Sequence, residues 1–463
     1  MLNVKNERNK IMKIPFSPPD ITDAEIQEVA ATLKSGWITT GPRVKLLERR
    51  LAAYIETGRT DIDCDADDAK AKYSDRVVCL NSATASEELN LRILGIQPGD
   101  EVIVPAYTYT ATASAAVHCG AKVVFVDIQK DGDKTTHAPE MDYEKVAAAI
   151  TEKTKAIIPV DLGGIVCDYD RLFEIVEAKK SLFKALDDHS NPLTDLGSRI
   201  QNAMGRIAIV SDCAHSLGAS RVVSHTGKGV VEKKRRYCGA IADFSSFSFH
   251  AVKNFTTAEG GASVWCLPQS VYDAGVTDEE IYKMYQLLSL HGQNKDALAK
   301  TKVGAWEYDI IGAWYKCNMT DIMAAIGLRQ LDRYQSLLAR RVEIIKKYDA
   351  VCDALGIQHL NYHVNGMDGS NHLYIMRLSN ISESDRNRLI VKFAECGVAT
   401  NVHYKPLPMF TAYGKDCTNY PNAYDYYTNE ITLPLHTTMT DEDVKYVCEV
   451  MKTTIKEIRG FQC

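Results

Sequence analysis

Short apolar runs alternate with stretches of helical spacing through the first half of the chain. Segments 77–80, 101–105, 122–127, 155–160, 207–212, 243–249 and 261–266 are brief and mostly rich in Val and Ile. Near-continuous apolar runs of that length predict strands buried on both faces. Between them, 85–94, 110–119, 143–151 and 171–180 place apolar residues at helical intervals. Strand, helix, strand repetition predicts an α/β fold: a mostly parallel central sheet with right-handed crossovers, flanked by helices. Ligands in such sheets bind beyond the carboxyl ends of strands, so chemistry is sought in the residues that follow each strand.

The second half reads differently. Residues 319–350 hold good helix formers interrupted only by Gly327, and predict one long helix. Residues 372–378 alternate like a strand, 385–396 have the spacing of an amphipathic helix, and 441–458 form a terminal helix capped near Thr440. A boundary is expected near residue 340, dividing a large unit, 14–340, from a smaller α+β unit, 341–463. Polar segments 56–75, 181–205 and 224–236 break the rhythm and predict surface insertions.

Composition narrows the function classes. With 463 residues, 45% hydrophobic and 25% charged, the chain can bury a large core without disulfides or metal staples. Its 54 basic and 60 acidic residues give a net charge of −6 with no polybasic run, which disfavours nucleic-acid binding. No run of 18 apolar residues predicts a membrane span, and residues 1–10 are too polar for a signal peptide, so a cytoplasmic protein is expected. The 13 cysteines are scattered, without a CxxC pair or a Cys/His cluster. Cys79, Cys119, Cys213, Cys266 and Cys448 read as small buried hydrophobes, and no metal site is expected. Asn254, Asn318 and Asn380 open N-x-S/T triplets that read as chance in a non-secreted chain. The chain lacks the motifs that anchor nicotinamide, P-loop, zincin and α/β-hydrolase chemistry.

Four strand ends carry candidate chemistry. Lys253, in Phe247-Ser248-Phe249-His250-Ala251-Val252-Lys253-Asn254, follows a strand and precedes the Gly260-Gly261 turn. It is placed to form a Schiff base with a carbonyl cofactor, or it is an ordinary solvated lysine. Asp212 closes the strand before Cys213-Ala214-His215 and either pairs with a cationic pyridinium nitrogen or caps the next helix. Asn81-Ser82-Ala83-Thr84-Ala85-Ser86 offers backbone N–H groups and hydroxyls to a phosphate, compatibly with a capping box that uses Glu87. In Pro105-Ala106-Tyr107-Thr108-Tyr109-Thr110 an aromatic can stack on a planar ring or edge the core. In chain order these are the parts of a pyridoxal phosphate site.

Together with Ser35-Gly36-Trp37-Ile38-Thr39-Thr40-Gly41-Pro42, Tyr315-Lys316-Cys317-Asn318-Met319-Thr320-Asp321 and His403-Tyr404-Lys405-Pro406, these segments resemble the DegT/DnrJ/EryC1/StrS sugar-nucleotide aminotransferases, from about Ile14 onward and outside the three insertions. The resemblance implies a fold-type-I enzyme using pyridoxal 5′-phosphate, with Lys253 as the Schiff-base lysine and Asp212 on the pyridine nitrogen. It implies Tyr109 stacked on the ring and His215 beside it, with Ala83, Thr84 and Ser248 at the phosphate. Asn318 would reach the phosphate of the partner in a homodimer with shared sites. Trp37, Thr39, His403, Tyr404 and Lys405 would border the nucleotide-sugar pocket. The implied donor is an amino acid, glutamate first. Some members carry histidine in place of the lysine and dehydrate sugars; Lys253 favours amino transfer. A lyase or a regulatory binding protein on the same fold are the rival expectations.

Overall fold

The computed structural model describes residues 12–130, 132–227, 230–294, 307–364 and 366–460. Residues 1–10, read above as too polar for a signal peptide, lie outside the described residues. In chain order the first nine strands are β1 Val77–Leu80, β2 Glu101–Pro105, β3 Lys122–Val126, β4 Thr154–Ile157, β5 Ala208–Asp212, β6 Ser220–Gly227, β7 Val230–Tyr237, β8 Phe244–Ser248 and β9 Gly261–Trp265. Seven of them form the central sheet in the order β1-β9-β8-β5-β4-β2-β3. Neighbours pair in parallel from β3 across to β8. β9 runs antiparallel to both β8 and β1, so the sheet is mostly, not wholly, parallel.

Both faces of this sheet are buried, as its apolar runs require. Successive residues of β1 divide between two cores: Val77 and Cys79 belong to one, Val78 and Leu80 to the other. That split is the two-residue period of a strand expressed as packing. Helices Ala83–Ile93, Thr110–His118 and Pro192–Met204 supply the second core through Leu89, Ala113 and Leu196. Helices Pro42–Thr57, Tyr169–Ala178 and Tyr334–Leu355 supply the first through Leu47, Leu172 and Ile344.

Three sequence expectations need correction. The long helix expected over 319–350 is two helices, Asp321–Asp332 and Tyr334–Leu355. The break falls at Arg333 (φ −113°, ψ 10°), whose guanidinium is held by Glu25 at 2.9 Å and Asp20 at 3.0 Å. Without Gly or Pro at the break, propensity gives no sign of it. The segment 181–205 is not simply a surface insertion: Pro192–Met204 buries Leu196 and Ile200 and leads into β5. The polar run 224–236 belongs to the β6–β7 hairpin, apart from residues 228–229, which lie outside the described residues.

The remaining strands are β10 Gln358–His359, β11 His363–Val364, β12 Met367–Asp368, β13 Tyr374–Arg377 and β14 Glu430–Leu433. β10, β13 and β14 form an antiparallel sheet, and the hairpin joins the other two in the order β11-β12-β6-β7. Helices Glu383–Glu395 and Asp441–Gly460 pack beside them. Thr440 accepts the Asp443 N–H at 3.1 Å, capping the last helix. The helix Tyr334–Leu355 runs unbroken through residue 340. Of the cysteines, the twelve described are free; Cys79, Cys119, Cys213 and Cys448 are buried and Cys266 partly so.

Candidate active site

The carboxyl ends of β1, β5 and β8 open into one cleft of about 520 Å³. Asp212 ends β5 and lies at the cleft floor, 5% exposed. Its Oδ2 accepts from Thr112 Oγ1 at 2.8 Å and its Oδ1 from the Ala214 N–H at 3.1 Å. Burial pushes its carboxyl up from the usual range, while these donors and the Lys253 charge pull it back down. Residues 213–219 form turns and lead straight into β6, so Asp212 caps no helix; its Oδ1 closes a local turn and its Oδ2 faces helix Thr110–His118.

Lys253 sits on the loop after β8, partly buried in the same cleft. Desolvation lowers its ammonium to about 8, against the attraction of Asp212. The loop is fastened from behind. Asn254 Nδ2 donates to Ser370 O at 2.6 Å, and Asn254 Oδ1 is 2.8 Å from His372 Nδ1. The N–H groups of Ser370 and His372 donate in turn to Gly164 O at 3.0 Å and Gly163 O at 3.1 Å, which ties the loops after β4 and β8 together.

At the end of β1, Ser82 caps helix Ala83–Ile93 by accepting the Ala85 N–H at 3.1 Å. The N–H groups of Ala83 and Thr84 belong to the first turn, which has no intrahelical partners to offer them. Ala83, Thr84 and Ser248 all line the cleft. The expected capping box with Glu87 does not form. Glu87 lies five residues past the cap, 1% exposed, and accepts from Ser246 Oγ at 2.6 Å. Gly261 of β9 presses on this turn: a Cβ there would lie 2.4 Å from the Ser82 carbonyl carbon and 2.5 Å from Ala83 N.

The two tyrosines of this segment are placed differently. Tyr107 is core, edge-on to Tyr426 at 5.2 Å. Tyr109 is 59% exposed, faces the cleft and has its ring 5.8 Å from Tyr404. His215 Nδ1 accepts the Gly163 N–H at 3.2 Å, so the neutral ring carries its proton on Nε2, 3.3 Å from Tyr404 Oη. Burial and the Lys253 charge hold His215 well below its ordinary value. His403 is lowered to about 3 by the same two causes. Its N–H donates to Glu430 Oε1 at 2.7 Å, fixing the strand-like segment that walls the cleft.

The cleft thus gathers Ala83, Thr84, Tyr109, Asp212, His215, Ser248, Lys253, His403 and Tyr404. Trp37, Thr39, Lys405 and Asn318 do not line it. The first two and Asn318 meet at a separate locus. Trp37 Nε1 donates to Thr40 O at 3.1 Å, Asp321 N to Thr39 O at 3.0 Å, and Asn318 Nδ2 to Thr40 Oγ1 at 2.5 Å. The Lys405 ammonium lies over the Phe410 ring, 5.1 Å from its centre. Thr112, Glu87, His250 and Glu259 are site residues that sequence reasoning passed over or assigned elsewhere. Among the described residues, Asp161, Cys213 and Cys238 also converge. There both thiols donate to Asp161 Oδ2, at 3.6 and 3.3 Å, and Ser216 Oγ donates to it at 2.9 Å.

Comparison with known proteins follows the same outline. The profile of the DegT/DnrJ/EryC1/StrS aminotransferase family matches residues 19–62, 66–188 and 198–452. It leaves out parts of two predicted insertions, 63–65 and 189–197, and runs through the β6–β7 hairpin. A Streptococcus pneumoniae protein described as a sugar aminotransferase, solved in its PMP form, is 52% identical with a TM-score of 0.82, covering 96% of this chain and 100% of that one. Its PLP form gives a TM-score of 0.81 at 50% identity, over 96% of this chain and 100% of that one. The spore coat polysaccharide biosynthesis protein SpsC of Bacillus subtilis is 32% identical over 451 residues, 96% of this chain and 97% of the relative. The UDP-4-amino-4-deoxy-L-arabinose–oxoglutarate aminotransferase of Shewanella sediminis is 31% identical over 461 residues, 96% of this chain and 98% of the relative.

Proposed function

The chain belongs to the DegT/DnrJ/EryC1/StrS aminotransferase family, whose members use pyridoxal phosphate, and from that membership we propose the following activity. It moves an amino group from L-glutamate to a keto-sugar on a nucleoside diphosphate, such as a UDP- or dTDP-4-keto-6-deoxy sugar, for a surface polysaccharide or glycan. The names of two relatives support this: one pairs a UDP-amino sugar with oxoglutarate, the keto acid of glutamate, and the other serves a coat polysaccharide. The observation that carries the reading is that Lys253 and Asp212 share one cleft with a helix N-terminus of unshared N–H groups.

The residues fit the cofactor. Ala83 and Thr84, with Ser248, present N–H and hydroxyl donors for a phosphate. Glycine at 261 lets β9 back directly onto that cradle. The Asp212 carboxylate suits a protonated ring nitrogen, and Tyr109 offers an exposed aromatic face. Bound there, the cofactor supplies an aldehyde that condenses with amines and a ring that accepts the electron pair released when a Cα–H bond breaks.

Each residue then has a task. Lys253 Nζ would hold the cofactor's aldehyde and, as a free amine, would take the proton from the donor's Cα. An amine titrating near 8 is suited to both steps. Asp212 keeps the proton on the ring nitrogen. Tyr109 would cover one face of the ring, and His215 orients Tyr404 through its Nε2–H. His403, Tyr404, Lys405, Trp37 and Thr39 border the nucleotide sugar, with Lys405 the first candidate for its diphosphate.

Asn318 completes the phosphate site of a second subunit in a homodimer. Exposed Ile38, Tyr308, Ile310 and Ile311 support such an interface. No described helix is long and apolar enough to cross a membrane, and a nucleotide-activated substrate suits a cytoplasmic setting. The large unit, 14–340, carries the cofactor and the smaller, 341–463, supplies His403 and Tyr404 to the cleft wall, with Lys405 next to them in sequence.

The test is incubation with glutamate and a panel of UDP- and dTDP-linked keto-sugars. The expected products are an amino-sugar nucleotide and an equal amount of oxoglutarate. Release of a dehydrated sugar without oxoglutarate would overturn the reading.

A further inference from the structure

Asp212 is not the only carboxyl at the cleft floor. Glu87 projects from helix Ala83–Ile93 and also lines the cleft, with only 1% of its surface exposed. Its hydrogen-bond partner, Ser246, is the register neighbour of Asp212 across the β5–β8 pair. The two carboxyls therefore stand side by side on one face of the sheet. Their surroundings differ. Asp212 receives two hydrogen bonds and feels the Lys253 charge. Glu87 has Ser246 on Oε2, while Oε1 is buried with no partner. No cation pairs with Glu87 among the described residues.

A buried carboxylate with no cation, beside another carboxylate, keeps its proton instead of its charge. Burial and the Asp212 charge both push Glu87 well above the carboxylate range. An ionised Glu87 would also repel a phosphate group bound at the start of its own helix. A neutral Glu87 is a carboxylic acid with an O–H to donate, on a wall where one of its oxygens lacks a partner.

We propose that Glu87 is a cofactor-contacting residue: held neutral, it donates a hydrogen bond to the phosphorylated pyridine and seats it against Asp212. This rests on the cofactor placement proposed above. Two buried carboxyls would then divide the work, Asp212 carrying the charge and Glu87 the proton.

The test is equilibrium titration of the apoprotein with pyridoxamine 5′-phosphate, which cannot link covalently to Lys253 and so reports pocket contacts. Glu87→Gln keeps the shape, the neutrality and a donor, and should bind within about threefold of the natural protein. Glu87→Met keeps the volume but removes the donor, and should bind about tenfold more weakly, the loss of one good hydrogen bond. Melting of each apoprotein gives the structural control: Glu87→Met should melt close to the natural protein, since removing one buried carboxyl offsets the acceptor that Ser246 Oγ loses. Equal affinity in Glu87→Met would make Glu87 a packing residue and overturn the proposal. So would a loss in Glu87→Gln as large as in Glu87→Met.

A second readout does not depend on Glu87→Met folding. The infrared difference between natural protein and Glu87→Gln should contain the carbonyl band of a protonated carboxylic acid; a carboxylate band in its place refutes the neutral form. The underlying placement fails separately, if Asp212→Asn leaves pyridoxamine phosphate affinity unchanged.

Discussion

The cleft around Asp212 and Lys253 and the locus around Trp37 and Asn318 are built differently. In the cleft, most residues follow the end of a buried strand or sit in the first turns of the helix after one, while His403 and Tyr404 come from the irregular segment after helix Glu383–Glu395. The parallel register of β5 and β8 puts Asp212 beside Ser246, and the next turns bring His215 and Lys253 to the same opening. The second locus is a knot of loops. Asp321 accepts the N–H groups of Arg43 at 3.2 Å and Val44 at 2.9 Å, capping a helix whose own cap residue, Gly41, has no side chain. Trp37 packs so tightly on Gly41 that a Cβ there would meet its indole at 1.8 Å. One chain thus gathers Ala83, Thr84, Asp212, Ser248 and Lys253 in one cleft, while Trp37, Thr39 and Asn318 stand outside it. On our reading the second subunit makes use of them.

The largest effect should come from the cleft. Lys253→Ala should reduce amino transfer by roughly ten thousandfold, measured as amino-sugar formation, and abolish the borohydride-reducible adduct. Wild-type turnover with the adduct intact would remove Lys253 from the chemistry. Asp212→Asn should leave the circular dichroism unchanged and cost about a hundredfold or more, as one electrostatic contact at a reacting centre does. Full activity would reduce Asp212 to its contacts with Thr112 and Ala214.

The covalent capture of pyridoxal phosphate by apoprotein should depend on the neutral form of Lys253. With its ammonium lowered to about 8, capture at pH 6 should be roughly fiftyfold slower than at pH 8 and level off above that. A tenfold gain per pH unit continuing to pH 10 would mean the amine is not desolvated.

The smallest and most discriminating effect concerns the second locus. Inactive Lys253→Ala subunits mixed equally with weakly active Asn318→Ala subunits should recover about a quarter of wild-type activity after random exchange. Half the dimers are then mixed, and in each both lesions fall in one site. Activity no higher than the parents' average would place Asn318 in its own chain's structure and erase the contrast.

The same contrast explains what was legible in the sequence. Strand ends at Leu80, Pro105, Asp212 and Ser248 are marked by where apolar runs stop, to within a residue or so of the observed limits. Lys253 and Asp212 could be found because strand ends are where such sheets bind ligands. Glu87 was read as a capping residue because its spacing from Ser82 and Thr84 looks local; its burial comes from Ser246, 159 residues away. The break at Arg333 is likewise set by Asp20 and Glu25, over 300 residues distant in sequence. Helix Pro192–Met204 is hidden in the sequence because its polar face outweighs its buried stripe in composition. Trp37 is placed by its bond to Thr40 O, and Asn318 by a bridge to Leu80 at the end of β1, over 230 residues away in sequence; no periodicity encodes either contact.

On our reading this cleft carries out amino transfer through pyridoxal phosphate on Lys253. The most direct measurement is the half-reaction: purified protein loaded with pyridoxal phosphate, given glutamate and no sugar acceptor, with absorbance and oxoglutarate followed together. Complete conversion of the cofactor to its amine form is expected, with one oxoglutarate per active site, then no further release until a keto-sugar nucleotide is added. An unchanged spectrum with no oxoglutarate, from protein whose Lys253 is shown to hold the cofactor, would contradict it.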